Sequence, residues 1–384
     1  MGHNTSDRAG SSRSDAGVNL PAATKLLKKN NRGKRKMLES VSFVPFSTPF
    51  RPKSEAPRVP TVEEACEEAE GRGLVDADTP QAKYLMDRIG YRHVEMYFPV
   101  YAVDGGLEDG ISLREVHRMM RFDRKLQALL LEYIGLFELR FRAQYSYVMG
   151  RARGAFAHRN PKNFKNREYY DGFIADYSRE FERQIKSKNK PVIEAYGMYG
   201  DAPLPLAVEI MSFGTLSKLY RNTRSAKVRD SVAGSFGVEQ DALVSWSRAI
   251  SSVRNQCAHF GVVACRKLTS RPKMIAGVKC DNGHPFYLML VLAKLLCYGN
   301  ENYSDDPTLS YGLAYINDSV NLLQAEEDLA LKVGFPSTWY EILTSPEITG
   351  TPSWHFESRP DDPSARMRIR VYTGGEGGIM TVKS

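Results

Sequence analysis

Six consecutive residues, Arg254-Asn255-Gln256-Cys257-Ala258-His259, carry side chains suited to phosphodiester chemistry. The guanidinium of Arg254 stays charged and can bind a phosphate through two donors. The imidazole of His259 gains or loses a proton near neutral pH. RNA supplies its own nucleophile, the 2′-hydroxyl, so a protein needs only to move protons and to neutralise the charge on phosphorus. Arg254 and His259 are therefore candidate catalytic residues of a ribonuclease, and Asn255 is a candidate for orienting His259 or the phosphate.

The same Arg-x4-His spacing occurs at two other places in the chain. Arg88 and His93 flank a predicted break between two short helices, where neighbouring aromatic residues favour a packing role. Arg153 and His158 lie in a stretch with glycines and no apolar periodicity, which predicts a surface loop. Even for Arg254 and His259, a salt-bridged arginine beside an unrelated histidine is an open alternative. Spacing does not choose among the three pairs, so their structural setting must.

Arg254 and His259 lie at the end of a helix predicted over residues 240–258. Its apolar residues recur on one face, and they are Leu243, Trp246, Ile250, Val253 and Cys257. Arg254 falls about 70° from the centre of that stripe, at the edge of the core, where a cation needs an anion or a hydrogen-bonded partner. His259 would point about 140° away from Arg254 if the helix continued. The two side chains converge only if the helix ends first, for which Gly261 is suited, or if a second copy supplies the missing half.

The rest of the sequence predicts a mainly α protein, a packed helical bundle. Helix-start signals are Thr61 with Glu64, Thr79 with Pro80, and Ser112 with Glu115. Further helices are predicted over residues 113–120, 123–149, 166–187, 206–220 and 285–297. Glu138 and Arg142 lie four residues apart on one of them, either as an exposed salt pair or as the lining of a cleft beside the core. Candidate strands are confined to residues 274–278 and 367–372.

Composition narrows the class of protein. With 42% hydrophobic residues in 384, the chain can bury a substantial core. Its longest apolar run, residues 285–297, contains Lys294 and is too short to span a membrane, so a cytoplasmic protein without a membrane partner is expected. No CxxC pair occurs among the cysteines, which are expected to be reduced thiols: Cys66, Cys257, Cys265, Cys280 and Cys297. A zinc site formed by Cys257, His259, Cys265, Cys280 and His284 is disfavoured, because this set has no pair of cysteines two to four residues apart, and no metal or cofactor is expected.

The positive charge is concentrated near the N-terminus. Residues 1–60 hold 12 Lys and Arg against 4 Asp and Glu, an excess of 8 that equals the net charge of the whole chain. This segment is predicted to be a disordered basic arm, followed by a helical domain over 61–330 and a C-terminal extension over 331–384. The arm either binds RNA phosphates or only promotes solubility. The candidate RNA-binding residues are Lys28, Lys29, Arg32, Lys34, Arg35 and Lys36.

Four segments occur in an order typical of one known family. They are Gly73-Leu74 with Tyr84-Leu85, Ile89-Gly90-Tyr91-Arg92 and Tyr97; Phe122-Asp123 through Leu126, Leu129-Leu130 and Ile134 to Glu138 and Arg142; Pro205-Leu206 and Glu209 to Ser212-Phe213-Gly214-Thr215-Leu216-Ser217 and Tyr220; and Arg254-Asn255-x-Cys257-Ala258-His259. In this order and approximate spacing, residues 65–325 resemble the Abi-like proteins of the AbiD/AbiF type, members of the HEPN superfamily of helical ribonucleases.

The resemblance implies a HEPN-like helical bundle with Arg254 and His259 as catalytic residues and Asn255 in support. It implies metal-independent RNA cleavage that leaves 2′,3′-cyclic phosphate ends, used as a toxin in abortive infection against phage. An antitoxin, either protein or RNA, and a homodimer or higher homo-oligomer are the implied partners. Glu138 and Arg142 are expected to line the same cleft, and Arg88 with His93 could form a second pair. A non-catalytic RNA-binding module and a protein-interaction scaffold are the alternatives.

Overall fold

The structure is a computed structural model that describes residues 58–104, 106–299 and 311–350, and the backbone of two later strands. The chain divides into two units, and every helix and strand given below belongs to the second, Pro60–Ser384. The six candidate RNA-binding residues of the basic arm lie outside the described residues, namely Lys28, Lys29, Arg32, Lys34, Arg35 and Lys36.

The first helices begin where their caps predict. Helix α1 (Val62–Gly71) follows a capping box, in which the Thr61 hydroxyl accepts from the Glu64 N–H and the Glu64 carboxylate accepts from the Thr61 N–H. Helix α2 (Pro80–Ile89) has proline at its first position. Both helix starts are confirmed, because each cap supplies an acceptor for N–H groups that have no partner within the helix.

A glycine provides the break between α2 and the next helix. Gly90 has a φ of +85°, a conformation that favours glycine, and it separates α2 from the short α3 (Tyr91–Glu95). A 3-10 turn (Phe98–Tyr101) and an antiparallel hairpin of β1 (Ala102–Val103) and β2 (Gly106–Leu107) follow. The predicted break between two short helices is confirmed.

The central element is helix α4 (Leu113–Arg153), with 41 residues. The sequence pattern predicts a helix to Met120 and a second one from Asp123, but the two are continuous. Arg121 and Phe122, which join them, include no glycine or proline, so the hydrogen-bond ladder has no reason to break. The predicted apolar stripe of α4 is buried at Leu126, Leu130, Ile134, Phe137, Phe141 and Tyr145, whereas its remaining member, Leu129, is half-buried.

Shorter helices surround α4. They are α5 (Arg167–Lys186), α6 (Lys190–Tyr199), α7 (Leu204–Ile210), α8 (Phe213–Asn222), α9 (Ala226–Gly234), α10 (Gln240–Ala258), α11 (Pro285–Cys297), α12 (Tyr311–Ala325), α13 (Glu327–Lys332), α14 (Trp339–Leu343) and α15 (Pro346–Thr349). Helices α7 to α12 all pack on α4, and α10 also contacts α8, α9 and α11. The predicted mainly α fold is confirmed, and α10 has the bounds that its apolar stripe predicts.

Two local predictions differ from the structure. Residues 206–220 form α7 and α8 rather than one helix, because the Ser212 hydroxyl accepts from the Thr215 N–H at 3.1 Å and starts a new helix. Residues 274–278 form no strand. Strand β3 (Arg370–Tyr372) does occur within predicted residues 367–372 and pairs with β4 (Ile379–Thr381).

The core extends beyond the predicted domain boundary. Helix α11 is buried along almost its whole length, as its apolar run predicts. Residue 330 lies inside α13, and the next helices bury Trp339, Leu343 and Ile348 completely. The described chain up to Gly350 is therefore part of the helical body. Within the described ranges, no helix is long and apolar enough to cross a membrane.

Candidate functional site

Arg254 lies at the edge of the buried stripe of α10. Leu243, Trp246, Ile250, Val253 and Cys257 are all buried, whereas 43% of the Arg254 side chain is exposed. Its Nε lies 3.8 Å from Oε2 of Glu138 on the facing helix α4. This setting is the one predicted for a cation at the core boundary, which keeps an acidic neighbour but still reaches solvent.

Glu138 stands between two arginines with different surroundings. On its own helix, Arg142 donates one hydrogen bond to Glu138 and another to the backbone carbonyl of Val208. The side chains of Arg142 and Glu138 are only 9% and 13% exposed. Arg142 therefore joins α4 to α7 as a buried structural group, while Arg254 meets the same carboxylate from the solvent side.

An open cleft of about 440 Å³ contains these three residues. Its lining consists of Glu138, Arg142, Glu180, Arg183, Gln184, Asn189, Pro191, Leu206, Glu209, Ile210, Met211, Ser212, Phe213 and Arg254. Arg142 and Arg183 donate hydrogen bonds to Glu138 and Glu180. Among the described residues, Arg254 makes only its longer contact with Glu138, so it is the cleft arginine best placed to exchange that contact for a phosphate.

His259 is the capping residue at the C-terminal end of α10. The helix ends at Ala258, and the His259 N–H donates to the Asn255 carbonyl at 3.1 Å. This N–H still makes the i→i−4 bond of the helix, so the backbone leaves the helical path at Phe260, after His259, and the first of the two conditions for convergence with Arg254 is not met. Both His259 and Asn255 are exposed. Within the described parts of the chain, neither side chain forms a hydrogen bond. Asn255 therefore contacts His259 through its backbone carbonyl and not through its side-chain amide.

A tight turn follows His259. Phe260 adopts a φ of +55°, and the Gly261 N–H donates to the Gln256 carbonyl at 2.8 Å. Such a left-handed residue and back-bonded N–H close a helix C-terminus. The predicted helix stop near Gly261 is confirmed, although the left-handed residue is Phe260.

The chain beyond this turn is anchored by a buried carboxylate. Asp123 of α4 is fully buried and accepts from the N–H groups of Val263 and Ala264, at 3.2 and 2.7 Å. The Tyr97 hydroxyl and the Gln127 amide also donate to it, at 2.7 and 2.8 Å. Burial, and then the charge of Asp123, raise the pKa of Tyr97, so its hydroxyl stays a donor. Four donors thus stabilise a charge that would otherwise be costly to bury.

Two neighbours of Asp123 hold the turn itself. The Gln127 amide donates to the Gly261 carbonyl at 2.9 Å, and Arg124 donates to the Phe260 carbonyl at 3.2 Å. The Arg124 guanidinium also lies 4.9 Å from the centre of the Phe260 ring. Successive turns of α4 therefore fix the segment that presents His259.

Arg124 brings a second histidine to this turn. Its guanidinium contacts Nε2 of His93, and burial, followed by the charge of Arg124, lowers the pKa of His93. Arg88, by contrast, lies over the Tyr84 ring at 5.2 Å. In the described structure, His93 is therefore paired with Arg124, and Arg88 has a separate aromatic partner.

The prediction of a surface loop at Arg153 and His158 is wrong for the histidine. Helix α4 ends at Arg153, but His158 is fully buried, with its ring centre 5.3 Å from that of Tyr177. Burial lowers the pKa of His158 to about 4. Neither of its ring nitrogens has a hydrogen-bond partner in the part of the chain that the structure describes. The loop lacks apolar periodicity but is covered by α5, which no local pattern reveals.

Sequence reasoning missed Asp123, Arg124 and Gln127 as site residues. One signal was available, because Asp123 precedes Leu126 and Leu130 on the same face of α4. A carboxylate within an apolar stripe must find several donors. Two of the four donors, the N–H groups of Val263 and Ala264, come from a segment about 140 residues away, which no local pattern could identify.

Comparison with known proteins finds a family model that matches part of the chain. Residues 84–263 match the family model described as Abi-like protein. The Abi-like resemblance is confirmed. The Abi-like region runs from α2 through α10 and ends at Val263, so it contains Asp123, Glu138, Arg142, Arg254 and His259. No curated protein and no solved structure matches the chain. Among the described residues of this chain, no cluster of three or more His, Cys, Asp or Glu side chains could hold a metal ion.

Proposed function

We propose that this protein is a metal-independent endoribonuclease of the HEPN type that acts as a toxin in abortive infection. One observation carries the proposal. Arg254 faces an open cleft and lies 3.8 Å from a carboxylate, and the helix that bears it ends one residue before an exposed histidine. An arginine and a histidine in these positions offer phosphate binding and proton transfer. The Abi-like region supports the role in abortive infection.

The reaction uses the 2′-hydroxyl of RNA as the nucleophile. His259 accepts the proton of that hydroxyl, or donates a proton to the leaving 5′-oxygen, and the 2′-oxygen attacks phosphorus as the 5′-oxygen departs. Arg254 stabilises the additional negative charge on the pentacoordinate phosphate. The products are a 2′,3′-cyclic phosphate and a 5′-hydroxyl. DNA of the same sequence is not cleaved, because it lacks the nucleophile.

The active form in this proposal is a homodimer or higher homo-oligomer. His259 and Arg254 both reach the surface, so a second copy is able to place its histidine beside the first copy's arginine. An antitoxin, either protein or RNA, keeps the enzyme silent until infection.

A second function, RNA binding without cleavage, is favoured by one feature. In the described chain, no group donates to or accepts from the His259 ring to fix its orientation. A general base is normally oriented by a hydrogen bond to its second nitrogen. In this alternative, Arg254 holds RNA and His259 has no chemical role.

A cleavage assay distinguishes the two functions. Purified wild type, Arg254→Ala and His259→Ala would be incubated with end-labelled single-stranded RNA in EDTA, with the matching DNA as substrate control. Arg248→Ala is the matched protein control, because Arg248 is an exposed arginine of the same helix. We expect wild type and Arg248→Ala to leave cyclic phosphate ends and the other two variants to lose at least about 100-fold in rate.

Three results would count against the nuclease. They are cleavage that EDTA abolishes, equal cleavage of DNA, and His259→Ala as active as wild type. If no protein cleaves RNA but wild type retains it and Arg254→Ala does not, the binding module is the better account.

A further inference from the structure

A basic turn joins α5 to α6. The eight residues from Arg183 to Lys190 contain four cations and no acidic residue: Arg183, Lys186, Lys188 and Lys190. All four are exposed. Arg183 and Lys190 have acidic partners, Glu180 and Glu194, but both ion pairs face solvent and contribute little to stability. We call residues 183–190 the basic turn.

The basic turn forms part of the rim of the Arg254 cleft. Arg183, Gln184, Asn189 and Pro191 all line that cleft. Lys186 follows Arg183 by three residues and so projects from the same side of α5. The Asn189 amide donates to the Gln184 side chain at 2.7 Å, which fixes the turn. The lysines therefore stand next to the cleft on an ordered support.

Helix α6 continues from the turn with an unusual surface. It buries only Val192 and Ala195 but exposes four larger apolar or aromatic side chains: Ile193, Tyr196, Met198 and Tyr199. Tyr196 and Tyr199 are 53% and 59% exposed. The Tyr196 ring contacts Phe181 and the Tyr199 ring contacts Phe156, each with 5.8 Å between ring centres. These neighbours limit the motion of both tyrosines, so the tyrosine side chains would lose little entropy when a flat ligand stacks on them.

We propose that a single-stranded RNA bound in the Arg254 cleft continues across the basic turn and along α6. Lys186, Lys188 and Lys190 contact its phosphates, and Tyr196 and Tyr199 stack on its bases. Cations beside exposed tyrosines are the combination that binds single strands, because unpaired bases offer their faces while the backbone stays anionic. The inference rests on the proposed function in one respect, namely that RNA is the ligand of the cleft.

RNA fits this surface better than an anionic membrane, which offers the same negative charge. The basic turn lines a cleft with Gln184 and Asn189, whose side chains suit a strand that enters the molecule. A bilayer surface would contact the lysines and α6 but could not follow the lining down to Arg254. RNA binding and membrane binding lead to different expected results for the variants below.

The test measures RNA binding by full-length His259→Ala, so that cleavage does not interfere. In that background, the triple variant Lys186→Gln/Lys188→Gln/Lys190→Gln is compared with Lys83→Gln/Lys227→Gln/Lys279→Gln. The control lysines are also exposed, and the change in net charge is the same. Fluorescence anisotropy with an unstructured single-stranded RNA gives Kd over a range of salt concentrations, and equal thermal unfolding of the variants establishes that they fold.

We expect the basic-turn variant to bind at least about 10-fold more weakly at low salt, with a salt dependence that falls by about 2 in log–log slope. The control variant should change by less than about threefold. Tyr196→Leu/Tyr199→Leu should weaken binding of the single strand by about fivefold or more, leave the salt slope unchanged, and leave duplex RNA binding unaffected.

Equal losses in the two lysine variants, or no loss in either, would overturn the proposal. So would a basic-turn variant that keeps its RNA affinity but no longer binds vesicles containing phosphatidylserine, because the turn would then be a lipid surface. The proposed nuclease activity can fail separately. If wild type cleaves no RNA while the basic-turn variant still loses affinity, the RNA path stands and the nuclease does not.

Discussion

At the scale of single residues, one carboxylate contacts two arginines: Arg142, which is buried, and Arg254, the proposed catalytic arginine. Glu138 forms a buried pair with Arg142, which also donates to the Val208 carbonyl. Glu138 lies 3.8 Å from the partly exposed Arg254. The two arginines have the same charge and share an acidic neighbour. Because their burial differs, we expect replacement of Arg142 to lower stability and replacement of Arg254 to lower activity.

Arg142→Met should lower the free energy of unfolding by about 3 kcal/mol, because Glu138 would keep a buried charge without its closest partner. Arg254→Met should change it by less than about 1 kcal/mol and still abolish cleavage. Urea unfolding and the cleavage assay measure the two effects. Arg167→Met is the control, since Arg167 pairs with Asp171 in an exposed i,i+4 pair. A stable Arg142→Met or an unstable Arg254→Met would reverse these assignments.

The buried His158 makes stability depend on pH. Its pKa is about 4 in the folded protein, below its ordinary value of 6.5, since burial disfavours the charged form. The unfolded chain therefore takes up the proton first as pH falls. The contribution of neutral His158 is complete above pH 6.5 and is lost between pH 6.5 and 4, by at most about 3 kcal/mol.

His158→Phe removes this titration and keeps a ring against Tyr177. Relative to wild type, we expect the free energy of unfolding of the variant to rise as pH falls from 7 to 4. Other histidines with lowered pKa, His93, His117 and His284, act equally in both proteins and cancel in the difference. Urea unfolding at several pH values measures it, and parallel curves for the two proteins would contradict the prediction.

At the scale of elements, α4 controls the end of α10. Asp123, Arg124 and Gln127 occupy two successive turns of α4 and bind the backbone between Phe260 and Ala264. The position of His259 therefore depends on a helix that carries no catalytic residue in the proposed reaction.

Asp123→Asn should loosen the segment after His259, because hydrogen bonds to a charged acceptor contribute about 1.5–3 kcal/mol. We expect the amide hydrogens of Val263 and Ala264 to exchange at least about 10-fold faster, and the rate of RNA cleavage to fall while RNA affinity changes little. Hydrogen exchange and single-turnover cleavage measure these effects. Asp230→Asn, at an exposed position on α9, is the control. Unchanged exchange at Val263 and Ala264 would show that Asp123 does not hold the turn.

At the scale of the whole molecule, the question is whether one chain or two complete the site. Arg254→Ala and His259→Ala are both expected to be inactive alone. If Arg254 of one chain works with His259 of another, a mixed dimer contains one intact pair. If both residues act within one chain, a mixed dimer contains none.

Co-refolding equal amounts of the two variants should therefore restore up to about one quarter of wild-type activity. Half of the dimers are mixed, and one of their two sites is intact. The same experiment with Arg254→Ala and the double variant Arg254→Ala/His259→Ala is the control and should restore nothing. Activity that stays at the level of the single variants would place the pair within one chain.

The amino-acid sequence alone determined much of this protein. Apolar periodicity and the caps at Thr61 and Ser112 predicted the helices, since these depend on neighbours within a few residues. The stripe of α10 placed Arg254 at the core boundary, and Gly261 signalled the end of that helix. Four sequence segments showed the resemblance to Abi-like proteins.

Only the tertiary structure decided which side chains meet. It brought Arg254 to the Glu138–Arg142 pair of α4, joined His93 to Arg124 rather than to Arg88, and buried His158 beneath α5. It also supplied two backbone donors for Asp123 from a segment far along the chain. These contacts join distant parts of the chain, and their partners depend on how helices pack, which local spacing does not encode.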